Sequence, residues 1–252
     1  MLEKNKRIEI LHTVIDVLTV EETIERVKEY IDEGCGLHLM GVNADKINML
    51  NENERLKTIV NGCGIINADG ASVVLASKYL KKPLPERVAG IDLMLDLVQL
   101  ASREHYKVFL LGAKQEIVEK TKAVLLENNP ELEIVGIRNG YFKEENWGEV
   151  AEEIRKSGAQ LVFVGITSPL KEYIVENFQK EQHLNCVFMG VGGSFDVISG
   201  SIPRAPIWMQ KCNLEWLFRV MQEPKRLFKR YFVGNWKFIM AVVKEKKKGK
   251  LK

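Results

Sequence analysis

Two short stretches carry the residue types that do acid–base and phosphate chemistry. Asn67-Ala68-Asp69-Gly70 places a carboxylate on a glycine-flanked turn, just after the apolar run that starts at Cys63. Further on, Arg87 sits in the loop Pro83-Leu84-Pro85-Glu86-Arg87, which its two prolines stiffen. A fixed carboxylate near a fixed guanidinium suits removal of a proton beside a phosphate leaving group. Both residues also have a plain structural reading. Asp69 is a good Asx-turn or helix N-cap residue, Arg87 can pair with Glu86 or Asp92, and Asp92 has the place of a helix-start residue.

The elements that must position these residues follow from apolar periodicity. Strands are predicted over 37–42, 65–66, 107–111, 132–138, 160–165 and 186–191, with one or two more inside 8–17. Helices are predicted over 19–33, 72–79, 91–104, 114–128, 147–156 and 171–181, and from 44 to 51. Strand-then-helix alternation with apolar, β-branched strands implies a Rossmann-like α/β fold, a parallel sheet flanked by helices. Ligands in such sheets sit beyond the carboxyl ends of the strands. The polar and glycine signals gather there: Asn43, Asp69, Gly112, Asn139-Gly140-Tyr141, Thr167-Ser168-Pro169 and Gly192-Gly193. Gly112-Ala113 and Gly190-Val191-Gly192-Gly193 stand where phosphate-cradling turns stand, although a tight turn alone explains them.

Several chemistries lack their signatures. No G-x-G-x-x-G opens a helix with an acid downstream, and there is no Walker sequence. The four histidines (His12, His38, His105, His183) have no ligand spacing, and no D-x-D follows an apolar strand. The chemistry is therefore read as metal-independent and free of cofactors, with arginine and lysine neutralising phosphate charge. The four cysteines form no C-x-x-C pair, which argues against a zinc or disulfide framework and for a reducing cytoplasm. The first residues lack the apolar core of a signal peptide, and no window reaches the length of a membrane span.

A net charge of +3 conceals an asymmetry. From Gly200 onward there are 14 basic and 3 acidic residues, a net +11, which leaves −8 on the rest of the chain. A basic tail on an acidic body implies an anionic partner, nucleic acid or a membrane surface. After Arg204, aromatic and aliphatic residues from Trp208 to Ile239 recur at helical spacing between arginines and lysines, and Pro224 marks a helix start. That pattern describes a helix lying in a membrane interface and favours the membrane over nucleic acid. Two units are expected: an α/β body over 1–204 and a basic amphipathic helical C-terminal appendage over 205–252.

The N-A-D-G turn and the P-L-P-E-R-V-A-G-I-D run (Pro83 to Asp92) resemble the WecG/TagA/CpsF glycosyltransferases. So do N-G-Y-F (Asn139 to Phe142), G-G-S-F-D (Gly192 to Asp196) and R-A-P-I-W-M-Q (Arg204 to Gln210). The likeness runs over about residues 8–242. It implies inverting transfer of a hexose from a UDP-sugar to a polyprenyl-diphosphate-linked saccharide, at the cytoplasmic face of the cell membrane. The products of such enzymes are teichoic acid or exopolysaccharide. The donors consistent with it are UDP-N-acetylmannosamine, its uronic acid and UDP-glucose.

The resemblance also assigns roles. Asp69 becomes the catalytic base and Arg87 its partner, with Asn67 in the same arrangement. Asn43 contacts a sugar, Tyr141 stacks on uracil, and Asp196 accepts from the nucleotide behind Gly192 and Gly193. From their chemistry alone, the Gly112 turn and the Lys171 ammonium suit a diphosphate, though Lys171 equally suits a solvated helix start. The resemblance favours Arg219 or Arg226, with Arg230 a further candidate, as the arginine that swings over the site at the membrane. Two positions depart from the family pattern: Gly41 replaces the threonine of T-x-N, and Lys171 the glutamine of P-x-Q-E. These departures suit a competing reading, a membrane adaptor that binds nucleotide without catalysis. A third reading is a soluble α/β nucleotide enzyme with an RNA-binding tail. A homo-oligomer is compatible with all three.

Overall fold

Alternation along the strands decides the architecture. In β3 (Leu37–Val42), Leu37 and Leu39 point into one apolar layer while Met40 and Val42 point into another. In β5 (Lys107–Gly112), Val108 and Leu110 share the first layer and Phe109 and Leu111 lie opposite. In β7 (Leu161–Gly165), Leu161 and Phe163 face Val162 and Val164 across the sheet in the same way. A strand apolar on both sides must be covered on both sides, and helices do so here.

The computed structural model describes residues 4–249; the side chains of Arg226, Lys229 and Arg230 lie outside the described set. The chain begins with an antiparallel hairpin, β1 (Arg7–Ile10) and β2 (Thr13–Asp16), followed by α1 (Val20–Asp32). Next come β3, α2 (Ala44–Glu52), α3 (Glu54–Asn61), β4 (Ile65–Ala68), α4 (Ala71–Tyr79) and α5 (Gly90–Glu104). Then follow β5, α6 (Gln115–Asn128), β6 (Glu133–Arg138), α7 (Trp147–Ser157), β7, α8 (Leu170–Lys180) and β8 (Val187–Gly190). The chain closes with four helices, α9 (Ser194–Ile198), α10 (Ile207–Lys211), α11 (Glu215–Gln222) and α12 (Pro224–Gly249).

Six strands form one sheet in the order β4-β3-β8-β7-β5-β6, and every pairing in it is parallel. All the carboxyl ends therefore lie along one edge. β3 feeds α2 on one face, whereas its neighbour β8 feeds α9 on the other, where Phe195 packs with α6. Neighbouring strands whose chains leave on opposite faces open a crevice between their ends.

Local chemistry fixes the helix ends. Thr19 and Glu22 form a reciprocal capping box at the start of α1. The expected helix from residue 44 stops at Asn53, whose side chain accepts from Leu56 N (2.9 Å) and starts α3, an element that apolar spacing did not reveal. α12 begins at Pro224, as expected for a residue suited to a first helical turn.

The C-terminal segment is joined to the body through its core. Phe238 (1% exposed) and Val242 of α12 belong to the same buried cluster as Met40, Val42, Ile47 and Ile66. Asn48 Nδ2 donates to Gly234 O (2.8 Å), and Glu245 Oε2 accepts from Leu11 N (2.9 Å). The opposite face of α12 exposes Phe228, Phe232, Val233, Trp236, Ile239 and Met240. Among the described residues, no helix is long and apolar enough to cross a membrane.

Candidate active site

The turn after β4 is built by close packing against the turn after β3. Asp69 N donates to Val42 O (2.9 Å), which brings the two strand ends together. A Cβ at Gly70 would lie 2.9 Å from Asn43 Cβ, so only glycine allows this approach. Gly41, the register partner of Asn67, serves the same purpose for the carboxylate. A Cβ there would lie 3.2 Å from Asp69 Cβ. The residue that replaces threonine thus makes room for the Asp69 side chain.

Asp69 does not cap the helix that follows it: Gly70 is the N-cap of α4, and no side chain bonds there. Its Oδ1 instead accepts from Gly90 N (3.0 Å), the first residue of α5. A helix N-terminus favours a carboxylate through its unpaired N–H groups and its dipole. Oδ2 has no hydrogen-bond partner among the described residues.

Arg87 lies against the same turn. Its Nε donates to Asp69 O (2.7 Å), and its two terminal nitrogens reach the C-terminal segment. One donates to Glu215 Oε2 (2.8 Å) and the other to Asn213 Oδ1 (3.4 Å). Neither Glu86 nor Asp92 takes it: Glu86 accepts from Val20 N, and Asp92 accepts from Arg204 (2.5 Å).

Asn43 caps α2 by accepting from Lys46 N (3.0 Å), so its amide is fixed beside Gly70. Asn67 lies elsewhere. It is 2% exposed on the face of β4 that meets α1, where its Oδ1 accepts from Thr23 Oγ1 (3.4 Å) and its Nδ2 has no partner among the described residues. The structure groups Asp69, Gly70, Asn43 and Arg87, and leaves Asn67 beneath them.

Sequence reasoning missed the buried charges under the middle of the edge. Lys46 bonds Glu172 and Ser168 Oγ from the α2 side, and Lys171 Nζ stands 3.9 Å from the same Glu172 oxygen. Burial works against the Glu172 charge, but the Lys171 and Lys46 ammonium groups outweigh it and hold the carboxyl below its ordinary range. His38 lies in the same layer, and burial pushes its imidazole down to about 4, so it is neutral at pH 7. The Lys171 stem packs where a side chain on Gly190 would stand, since a Cβ there would meet Cε at 3.0 Å. A lysine at the third helical position of α2, facing the apolar side, was the available signal for Lys46.

Next along the edge, Gly192 has φ +54° and opens the turn after β8. Asp196 lies in the first turn of α9, with its Oδ2 beside Gly193. At the far end the glycines make room for backbone. A Cβ at Gly112 (φ +136°) would lie 2.5 Å from the Gly165 carbonyl, and Gly140 N donates to Ala113 O (2.9 Å). Tyr141 N is held by Asn139 Oδ1 (3.0 Å), and its ring is 74% exposed rather than part of the core.

Of the tail arginines, Arg219 is exposed on the rim of a hollow that Ile91, Val197, Ile202 and Phe218 also line. Arg226 and Arg230 have side chains outside the described residues. Among the described residues, no group of three or more His, Cys, Asp or Glu could hold a metal ion.

A carboxylate and a guanidinium stand at one end of the carboxyl edge of the parallel sheet, glycine turns in the middle and an exposed ring at the other end. Residues 8–252 match the glycosyl transferase WecG/TagA/CpsF family, and the chain belongs to that family; it is a glycosyltransferase. It is also 32% identical, over 220 residues, to the N-acetylglucosaminyldiphosphoundecaprenol N-acetyl-beta-D-mannosaminyltransferase of Bacillus spizizenii strain W23. That alignment covers 86% of this chain and 83% of the relative.

Proposed function

We propose that this glycosyltransferase moves N-acetylmannosamine from its UDP derivative to a sugar linked through diphosphate to a polyprenol, with inversion at the anomeric carbon. The product class is a cell-wall polymer precursor. The observation that carries the reading is the Asp69 carboxylate, tied by one oxygen to Gly90 N and open at the other, with Arg87 bonded to the same residue. Acceptor and donor follow from the similarity to the Bacillus spizizenii enzyme, whose name specifies the acceptor and the sugar transferred.

In this reading Asp69 Oδ2 takes the proton from the acceptor hydroxyl. The hydroxyl oxygen attacks the anomeric carbon in line, and the sugar–phosphate bond breaks as UDP leaves with the electron pair. Asn43 stands where a sugar hydroxyl would be met. Lys171, Gly192, Gly193 and Gly112 lie where the diphosphate would pass, and Asp196 and Tyr141 take the nucleoside. The family resemblance assigns uracil to Tyr141, which follows β6, and in the strand order β6 is five spacings, about 24 Å, from β4. Asp69 and Tyr141 therefore serve different ends of the complex.

A polyprenyl acceptor does not leave its bilayer, so the site must come to it. The exposed face of α12, with Trp236, Phe232 and Val233 beside lysine-rich turns, supports peripheral binding to an anionic membrane surface on the cytoplasmic side. The test is UDP release by the full chain from UDP-N-acetylmannosamine, in the presence of a lipid-linked N-acetylglucosaminyl diphosphate on vesicles. UDP release that needs both substrates supports the reading. No release with this pair, or equal release from UDP-glucose, overturns the donor assignment. Release that survives EDTA supports a metal-independent reaction, and loss restored by Mg²⁺ or Mn²⁺ overturns it.

A further inference from the structure

The guanidinium of Arg87 is held as much by the C-terminal segment as by the turn it serves. Its Nε bond to Asp69 O (2.7 Å) is a single anchor, about which the group could still swing. The Glu215 carboxylate, 2.8 Å from Nη2, removes that freedom, and Asn213 adds a third contact at 3.4 Å from Nη1. Glu215 is the first residue of α11 and is itself largely buried, so it is a fixed point rather than a passing surface partner. Its other oxygen lies 3.8 Å from Arg204 Nε, and Arg204 bonds Asp92 (2.5 Å) in the first turn of α5. The N-terminal residue of α5, Gly90, is the one that holds Asp69 Oδ1 (3.0 Å). The contacts close on themselves: base, Arg87, Glu215, Arg204, Asp92, α5 and back to the base.

The geometry points to Glu215 as a positioning residue for the transfer reaction. It fixes Arg87 relative to Asp69, so the segment that carries the exposed apolar face is also part of the active centre. This inference rests on the function proposed above, in which Arg87 is bonded to Asp69, the residue that takes the acceptor proton. A surface ion pair here would contribute little. The expectation is different where the pair sets the orientation of a group beside the reacting atoms, because small misplacements there cost large factors in rate.

Glu215→Gln keeps the side-chain shape and removes the charge. In the full chain on anionic vesicles, turnover is expected to fall by about 10- to 100-fold with the thermal midpoint and vesicle binding unchanged. Glu215→Asp, which keeps the charge, is expected to recover part of it. The decisive readout is a double-mutant cycle with Arg87→Lys. Residues that act through one contact are non-additive, so Glu215→Gln should cost little in the Arg87→Lys background. If the two losses multiply in full, or if Glu215→Gln turns over at the wild-type rate while Arg87→Lys is slow, the positioning role is overturned and the proposed function stands. If Arg87→Lys and Arg87→Ala are both fully active, the use of Arg87 in the proposed function fails, and this role with it. Should Glu215→Gln prove too unstable to assay, Glu215→Asp passes through the same cycle, where non-additive losses support the role and fully multiplying losses overturn it.

Discussion

The two ends of the sheet edge use glycine for opposite purposes. At the β3/β4 end, Gly41 and Gly70 leave space for side chains, the Asp69 carboxylate and the Asn43 cap. At the β5/β6/β7 end, Gly112 lets backbone meet backbone, the carbonyl of Gly165, and the exposed feature is a ring. The first end concentrates charge where a proton and a leaving group would move. The second is shaped by backbone packing and an exposed ring. A substrate with a reactive sugar at one end and a flat base at the other fits that division.

The largest expected effect lies at the charged end. Asp69→Asn keeps the size and the bond to Gly90 N while removing basicity. Turnover should fall about 10²- to 10⁴-fold with UDP affinity retained. Single-turnover kinetics beside calorimetry separates the two, and an Asn variant with near-normal turnover removes Asp69 from the chemistry. The ring end should answer differently. Tyr141→Ala is expected to weaken UDP binding by roughly 5- to 150-fold, the equivalent of about 1–3 kcal/mol of stacking. Stability should not change, because the ring is exposed. Unchanged UDP affinity would break the comparison at this end.

α12 shows the same division on two faces of one helix. Phe238 and Val242 complete a core cluster, so removing residues 205–252 would expose that cluster and confuse membrane binding with unfolding. Point substitutions on the outer face avoid this. Replacing Phe232, Trp236 and Met240 together by serine should leave the thermal midpoint in place. Each lost side chain removes up to roughly 1.5–3 kcal/mol of burial in the bilayer, so pelleting with anionic vesicles should drop by at least 10-fold. A triple variant that pellets like the parent would show that the helix meets the membrane by another face, or not at all.

Much of this was legible in the sequence because it depends on local rules. Apolar, β-branched runs with polar and glycine ends announced six parallel strands and the edge where their turns meet, and the sheet has those strands. Pro224 marked the start of α12, and the helix begins there. What local rules cannot show is which distant residue meets which. Arg87 has acids close by in sequence, yet it takes Glu215 across 128 residues. Lys46 and Glu172 are 126 residues apart and meet only because the sheet order puts α2 beside α8. α3 was missed because eight residues give little periodic signal, and Asn53 serves two helices at once. The buried face of α12 was hidden by its basic, aromatic surroundings.

The smallest effects on the fold test the comparison most closely, because they change one methyl group at each end. Gly112→Ala must place a Cβ 2.5 Å from backbone at a φ of +136°, and neither the carbonyl nor the strand can move aside cheaply. Strain of this kind costs about 1–3 kcal/mol, so the thermal midpoint should fall. Gly41→Ala meets Asp69 first, its Cβ at 3.2 Å, in a strand where alanine also loses less chain entropy than glycine. Its stability should therefore change by less than about 1 kcal/mol. The carboxylate, however, must give by a few tenths of an ångström, and a base displaced from its proton loses rate. The expected pattern is a crossed one, with stability lost at Gly112 and turnover lost several-fold at Gly41. Measured midpoints and turnover that fall together in both variants would mean that the glycines at the two ends do the same work, and that the Gly41 turn is not shaped for Asp69.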